Sequence, residues 1–228
     1  MLARVLETEA MDTLAEAMDY DAMDHSEVNR AFVDDLLAAG PGLDWILDLG
    51  AGTAQIPILL CQREQVARVL AADMAQHMLI VAGRNIARAG LGGRIRLHRV
   101  DAKRLPYRDG SFGAVVSNSI VHHIPQPATV LEEAWRVTAP GGLLFFRDLC
   151  RPQDEDELSR LVRMYAEGAN EHQRKMFADS LRASLSVDEM RRLVEQLGGN
   201  GDAVRMTSDR HWTWSQTRED RPCRAVRG

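Results

Sequence analysis

Little in this chain suggests a cross-linked, exported or membrane-held protein. Cysteine is scarce: 3 in 228 residues, at Cys61, Cys150 and Cys223, widely spaced and odd in number. They form neither a disulfide framework nor a Cys-x-x-Cys metal site, and no resident metal is expected. No apolar run approaches the ~18 residues that a membrane-spanning helix needs. Arg4, Glu7 and Glu9 fall where a signal peptide would keep an uninterrupted apolar stretch. Basic charge is not in excess, because 28 Lys and Arg face 33 Asp and Glu, for a net charge of −5. An obligate nucleic-acid binder needs a basic field to neutralise phosphates, so no nucleic-acid partner is expected. No Gly-Lys-Ser/Thr follows any glycine loop, which excludes a P-loop. The expectation is a reduced, cytoplasmic protein without membrane attachment; the oligomeric state is not readable.

Hydrophobic residues make up 45% and charged residues 27% of the chain, as in ordinary globular domains. At roughly 150 residues per domain, the length suits one domain with an added lobe. Glu27 to Ala39 reads as an amphipathic helix stopped by Gly40-Pro41, with a shorter acidic helix before it. Trp45 to Leu49 is a short apolar run ending in glycines and reads as a buried strand. Helix and strand then alternate. Strands are expected over Ala67 to Ala72, Arg94 to Val100, Phe112 to Ser117 and Leu143 to Phe146. Helices are expected over Ile56 to Arg63, Gln76 to Ala89 and Ala128 to Val137, the last broken by Pro140-Gly141-Gly142. Such alternation implies right-handed crossovers and a doubly wound α/β fold with a mostly parallel sheet.

After Leu149 the rhythm changes. Asp154 to Ser184 carries two helical patterns and no strand, and Ser186 with Glu189 forms a capping box for a further helix. Ala203 to Thr207 and His211 to Trp214 read as two short strands joined by a turn. Helices inserted near the carboxyl ends of a parallel sheet often close over the ligand crevice, so a helical lid is expected after the fifth strand. Extra core helices on the far face are the plainer alternative. Within a single domain 1–228 the expected parts are N-terminal helices at 1–40, a binding core at 41–149, a lid at 150–185, and the last helix, hairpin and tail at 186–228.

The run Asp48-Leu49-Gly50-Ala51-Gly52-Thr53 ends the first strand and opens a helix. Glycines there permit a tight turn and close approach of the backbone to a ligand. A dinucleotide fingerprint would place its third glycine where Gln55 stands. Asp48 is a fixed anion that suits a positively charged ligand better than a pyrophosphate. Asp73 closes the next strand about 20 residues on, where a carboxylate accepts both hydroxyls of a ribose. Asp101, beside Ala102, offers an acceptor for an exocyclic adenine amine. These residues describe one nucleoside with a charged tail and no phosphate cradle.

With these motifs, the chain resembles class I S-adenosylmethionine-dependent methyltransferases over about Phe32 to Phe146. The likeness rests on the glycine turn, on Ala72-Asp73-Met74, on Val100-Asp101-Ala102 with Leu105-Pro106, on Ser117-Asn118-Ser119 leading to His122-His123-Ile124-Pro125, and on Arg136 to Gly142. The resemblance implies a Rossmann-like, seven-stranded sheet ending in an antiparallel hairpin, and S-adenosyl-L-methionine as cofactor. It implies that Gly50, Gly52 and Thr53 line the methionine part and that Asp48 holds its ammonium. Asp73 would bind the ribose, Met74 the adenine face, and Asp101 with Ala102 the adenine edge. Asn118 and Ser119 would border the sulfonium. An N-terminal helix would bring Tyr20 to the methionine end and Arg30 to its carboxylate, although an arginine on an exposed helix is also commonplace. Asn118 is followed by Ser119 and Ile120 rather than by Pro-Pro-aromatic, which disfavours the branch acting on bases and glutamine.

Methyl transfer from a sulfonium needs aligned reactants and exclusion of water, and a base only where the acceptor arrives protonated. His123, on the fourth-strand loop, is the first candidate for that base and Asp148 the second. Their structural alternatives are a turn-capping histidine, and a carboxylate paired with Arg147 or capping a lid helix. Tyr165, Asn170, His172 and Phe177 are the lid residues that would shape an acceptor pocket. Three scattered cysteines do not gather the thiols that arsenic methylation requires. A small-molecule acceptor is the leading expectation. The alternatives are a protein or tRNA acceptor, suggested by Arg218, Arg221, Arg224 and Arg227, and a non-catalytic cofactor-binding scaffold.

Overall fold

The computed structural model describes residues 1–7 and 13–219, so Glu9, Cys223, Arg221, Arg224 and Arg227 lie outside the described residues. After an N-terminal segment come helices α1 (Leu14–Ala22) and α2 (Ser26–Ala38), then β1 (Ile46–Leu49), α3 (Gln55–Arg63), β2 (Val69–Asp73), α4 (Gln76–Arg88), β3 (Ile95–Arg99) and β4 (Phe112–Asn118). A short 3₁₀ turn at Val121–His123 leads to α5 (Pro127–Val137) and β5 (Thr138–Leu149). Helices α6 (Glu155–Tyr165), α7 (Glu171–Ala183) and α8 (Val187–Gln196) follow, and β6 (Val204–Met206) and β7 (His211–Thr217) complete the sheet. The strand order is β3-β2-β1-β4-β5-β7-β6, with β1 to β5 parallel and β7 antiparallel to both β5 and β6. The doubly wound sheet and its closing antiparallel strands are therefore as the sequence indicates.

Side chains alternate across each strand, so each face of the sheet builds its own core. Leu47, Leu49, Val115, Leu144 and Phe146 face α5 and α8, together with Trp212 and Trp214. Trp135 stacks on Trp214 with ring centroids 6.3 Å apart. Ile46, Val69, Ala71, Ala114 and Phe145 face α2, α3 and α4, where Phe32 meets Phe145 edge-on at 5.2 Å. The same alternation sends Asp48, two residues after Ile46, toward the α2–α3 side.

Pro140-Gly141-Gly142 does not precede the fifth strand but lies inside it. Phe112 pairs with Thr138 and Ala114 with Leu143, so residues 139–142 bulge opposite Gly113 alone. A side chain at Gly142 would sit 2.9 Å from the Gly113 carbonyl oxygen and 2.8 Å from that of Ala139. Arg218 ties this bulge down by donating to the carbonyl oxygens of Arg136 (3.1 Å) and Thr138, a structural task rather than acceptor recognition.

Candidate active site

The strand order reverses between β1 and β4, and the carboxyl ends of the strands on either side open a crevice there. A groove of about 830 Å³, open mouth included, occupies it. Its walls carry Gly50 and Gly52 after β1, Asp73 and Met74 after β2, Asp101 and Ala102 after β3, and Asn118, Ser119 and His123 after β4, with Tyr20 of α1 on top. A smaller adjoining recess is lined by Tyr20, Asn29, Asp48, Thr53, Gln55 and Asn118. Ten of the fourteen residues expected at the site line the groove, and Asp48 and Thr53 line the recess beside it.

The glycine turn is held by its neighbours. Gly50 and Ala51 both donate to the Ala72 carbonyl (2.9 and 3.0 Å), and the Gly52 amide donates to Asp73 Oδ2 at 2.8 Å. Asp73 Oδ1 accepts from the Ala75 amide at 2.8 Å, which fixes the carboxylate at the mouth of α4. Gly50 has φ +72°, and an added Cβ would lie 2.9 Å from Ile120 Cδ1, so both conformation and space demand glycine there. A Cβ at Gly52 would lie 3.6 Å from the Tyr20 ring, which covers the turn.

The recess is rich in buried acceptors without donors. Asp48 Oδ2, Asn118 Oδ1 and Thr53 Oγ1 are buried and form no hydrogen bond. Burial, with the neighbouring Asp73 charge, pushes Asp48 up to about 8. An orphan carboxylate and an orphan carbonyl beside a glycine cradle fit a ligand that brings ammonium donors and positive charge, as an S-adenosylmethionine tail does. Asp101 Oδ1 accepts from the Lys103 amide at 2.9 Å, with the Lys103 ammonium 3.6 Å from Oδ2.

Beyond the β4 end of the groove lies a histidine and carboxylate cluster. Asp148 is 1% exposed and accepts from the amides of Val121 (2.6 Å), His122 (3.2 Å) and Leu149 (2.6 Å), and from His122 Nδ1 (2.6 Å). Burial opposes charge on both members, but their mutual attraction and hydrogen bond prevail. Asp148 is held below the usual carboxylate range and His122 above the usual imidazole value. His123, 25% exposed, borders the groove, and Glu7 Oε1 approaches its Nδ1 at 3.0 Å.

Two expected site residues fall outside. Arg30 is exposed, its Nε reaches only the Ser26 carbonyl (3.4 Å), and it lines neither cavity. Its neighbour Asn29 faces the recess instead and donates to Gln55 Oε1 at 2.9 Å, because one residue turns a helix face by about 100°. Asp148 pairs with neither Arg147 nor a lid helix; its oxygens are taken up by the Val121–His123 turn and the Leu149 amide, and it does not line the groove. No α6 or α7 residue lines the groove either. Tyr165 donates to Asp209 (2.9 Å), Asn170 caps α7, and Phe177 packs with Leu149, Leu158, Leu161 and Leu181. Cys61 is buried in α3 and Cys150 follows β5, and neither lines the groove. Glu7, Asn29 and Ile120 were not expected at the site. Ile120 stands between Asn118 and the paired histidines, which was a usable signal; Glu7 had none.

Comparison with known proteins gives the same picture. A family model described as "Methyltransferase domain" matches residues 47–146. Over 115 residues the chain is 31% identical to the ubiquinone/menaquinone biosynthesis C-methyltransferase of Desulfotalea psychrophila, covering 50% of this chain and 45% of that protein. It is 36% identical over 135 residues to the malonyl-[acyl-carrier protein] O-methyltransferase of Geobacter sulfurreducens, covering 57% and 48%. The matches thus span about half the length of these curated relatives. The crystal structure of a SAM-dependent methyltransferase from Aquifex aeolicus shares the fold, with a TM-score of 0.64 at 16% identity over 90% of this chain and 98% of that one. Among the described residues no helix is long and apolar enough to cross a membrane. The segment that matches a methyltransferase domain, residues 47–146, spans the glycine turn and all four strand ends that line the groove.

Proposed function

We propose that this protein transfers a methyl group from S-adenosylmethionine to a small-molecule acceptor. The carrying observation is the single groove on which Asp73, Asp101 and Asn118 converge from consecutive strand ends, with the orphan Asp48 carboxylate in the recess beside it. When bound, the cofactor supplies an electrophilic methyl on a sulfonium. Asp73 accepts the ribose hydroxyls at the end of β2. Met74 packs against the adenine face, and Asp101 with Ala102 reads its edge. Asp48 and Asn118 take the ammonium, Gly50, Gly52 and Thr53 give the tail room, and Tyr20 shields that end from water.

Ser119 and Asn118 flank the position from which the methyl leaves, and the acceptor approaches from the His123 side. In-line displacement from this arrangement gains chiefly by alignment, for which effective molarity supplies ~7–11 kcal/mol. Where the acceptor carries a proton, His123 takes it, being the imidazole on the groove wall. Asp148 acts at one remove: it fixes His122, and with it the turn that presents His123. The two relatives are named for carbon and oxygen methylation, of a quinone precursor pathway and of malonyl-[acyl-carrier protein] respectively. Both fit an acceptor that is a small molecule or a small group on a carrier.

Calorimetric titration with S-adenosylmethionine and S-adenosylhomocysteine tests the cofactor half: micromolar binding is expected, and no binding at millimolar ligand ends the reading. Turnover tests the rest, by following S-adenosylhomocysteine release across phenolic, carboxylate, amine and thiol acceptors. Tight cofactor binding without release on any acceptor would favour a scaffold.

A further inference from the structure

A second cluster of donor atoms unites three segments far apart in sequence. Residues 1–7 lie as a strap across α7 and the Val121–His123 turn. The Val5 amide donates to the Arg182 carbonyl (3.1 Å) and Arg4 Nε to that of Ala183 (2.6 Å). Arg4 Nη2 donates to the carbonyls of His122 (3.3 Å) and Ile124 (3.0 Å). This anchoring carries Glu7 between two imidazoles, with Oε1 3.4 Å from His122 Nε2 and 3.0 Å from His123 Nδ1. Ser180 Oγ donates to both Glu7 oxygens (3.2 and 3.3 Å) and steadies the carboxylate.

The contacts inside the cluster lack the alignment of hydrogen bonds. His123 Nδ1 is buried and has no hydrogen-bond partner despite the carboxylate oxygen 3.0 Å away. His122 gives its Nδ1 to Asp148, so Nε2 is the atom that confronts Glu7. Two ring nitrogens and a carboxylate oxygen therefore lie within 4.8 Å of one another. A four-coordinate transition cation with bonds of ~2.0–2.2 Å would set neighbouring ligand atoms roughly 3.3–3.5 Å apart, close to the two spacings to Glu7. The Asp148–His122 hydrogen bond is the outer contact that orients metal-bound imidazoles generally.

We infer that Glu7, His122 and His123 form a binding site for one divalent transition cation of the zinc class, which clamps the N-terminal strap onto the β4 loop. Two imidazoles and one carboxylate suit a borderline cation better than magnesium or calcium, which prefer all-oxygen sites. Occupancy engages His123 Nδ1 and leaves the ring proton on Nε2. On the methyl-transfer reading above, on which this consequence alone rests, the bound cation silences His123 as a proton acceptor.

The test uses the full chain, stripped with chelator and titrated with Co²⁺ alone in the absence of cofactor. The expected result is one equivalent bound, visible ligand-field absorption, and displacement by one equivalent of Zn²⁺. Glu7→Gln and His123→Ala, each checked for a native thermal transition, weaken binding by roughly tenfold or more. Absence of the visible bands in the unsubstituted protein, or equal affinity in both variants, overturns the site. Because no methyl acceptor enters the titration, its failure leaves the methyl-transfer reading untouched, and failure of turnover leaves the titration untouched.

Discussion

Cofactor affinity should depend on pH through Asp48. Burial beside Asp73 lifts this carboxyl from its ordinary 3.8 to about 8, so in the unliganded protein it carries a proton at neutral pH. Holding an ammonium requires the ionised form, and the proton must leave as the ligand binds. At pH 6.5, one and a half units below that value, ionisation costs about 2 kcal/mol, or roughly thirtyfold in affinity relative to a pH above 8. Calorimetry with S-adenosylhomocysteine in buffers of different ionisation enthalpy counts the protons directly, and nearly one should be released per ligand at pH 6.5. The ligand's own α-amine titrates near 8 and contributes with the opposite sign at high pH. Asp48→Asn, which keeps the shape, separates the two by abolishing the release at pH 6.5 while leaving the amine's contribution. Equal proton counts for both proteins, or affinity flat from pH 6.5 to 8, would refute the assignment. The same shift has a stability consequence in the unliganded protein. A carboxyl whose folded pKa is raised favours folding below about 4, and that contribution is lost as pH rises through about 8. Unliganded protein should therefore lose stability across that window while liganded protein does not.

Three further perturbations probe the rest of the site. Asp73→Ala removes the acceptor for the ribose, with charge-assisted hydrogen bonds worth ~1.5–3 kcal/mol each at most; a dissociation constant within twofold of the unsubstituted protein would show that the ribose lies elsewhere. Gly50→Ala forces a left-handed alanine at φ +72° against Ile120 and should cost about 1–2 kcal/mol in denaturant unfolding as well as cofactor affinity; unchanged stability would mean that the turn relaxes freely. Asp148→Ala strands four buried donors and should cost about 3–5 kcal/mol, whereas His123→Ala on the groove wall should cost far less; equal losses would show that His123 is structural too.

Most of the groove's lining was legible because it sits at strand ends. A carboxylate that terminates an apolar run is marked by the run itself, and Asp48, Asp73 and Asp101 each close or follow one. Elsewhere the signal failed for physical reasons. Pro140-Gly141-Gly142 reads as a break, since proline and two glycines disfavour regular pairing, yet Gly113 opposite offers no side chain and lets the strand bulge past. Arg30 looked apt by charge, but helical phase, not charge, decides which side chain enters the recess, and that phase favours Asn29. Glu7 was invisible because its partners lie about half the chain away in sequence, and nothing local to residues 1–7 announces a strap. Position alone marks Asp148 as a candidate base. Position at a strand end puts a carboxylate near the crevice, but its four donors turn it into the loop.

The order β3-β2-β1-β4 also bears on what shape of ligand the groove accepts. Neighbouring strands lie about 4.8 Å apart, so the end of β3, with Asp101, stands roughly 14 Å from the end of β4, with Asn118. A base and a sugar alone would engage β3 and β2 and leave the orphan acceptors at β1 and β4 without donors. Their burial without partners is costly unless a ligand reaches them, by roughly 1–3 kcal/mol per group. The pleat adds a second constraint, because Asp48 points to the α2–α3 side while the glycine turn crosses the sheet edge beside it. A ligand must therefore run along the edge past the glycines and drop its charged end into the recess. On the reading proposed above, an elongated nucleoside with a flexible cationic tail would do this, with the atom between sugar and tail toward Ser119 and His123, which line the groove. On that reading the sheet orders recognition from β3 to β1 and keeps the β4 side for the reaction.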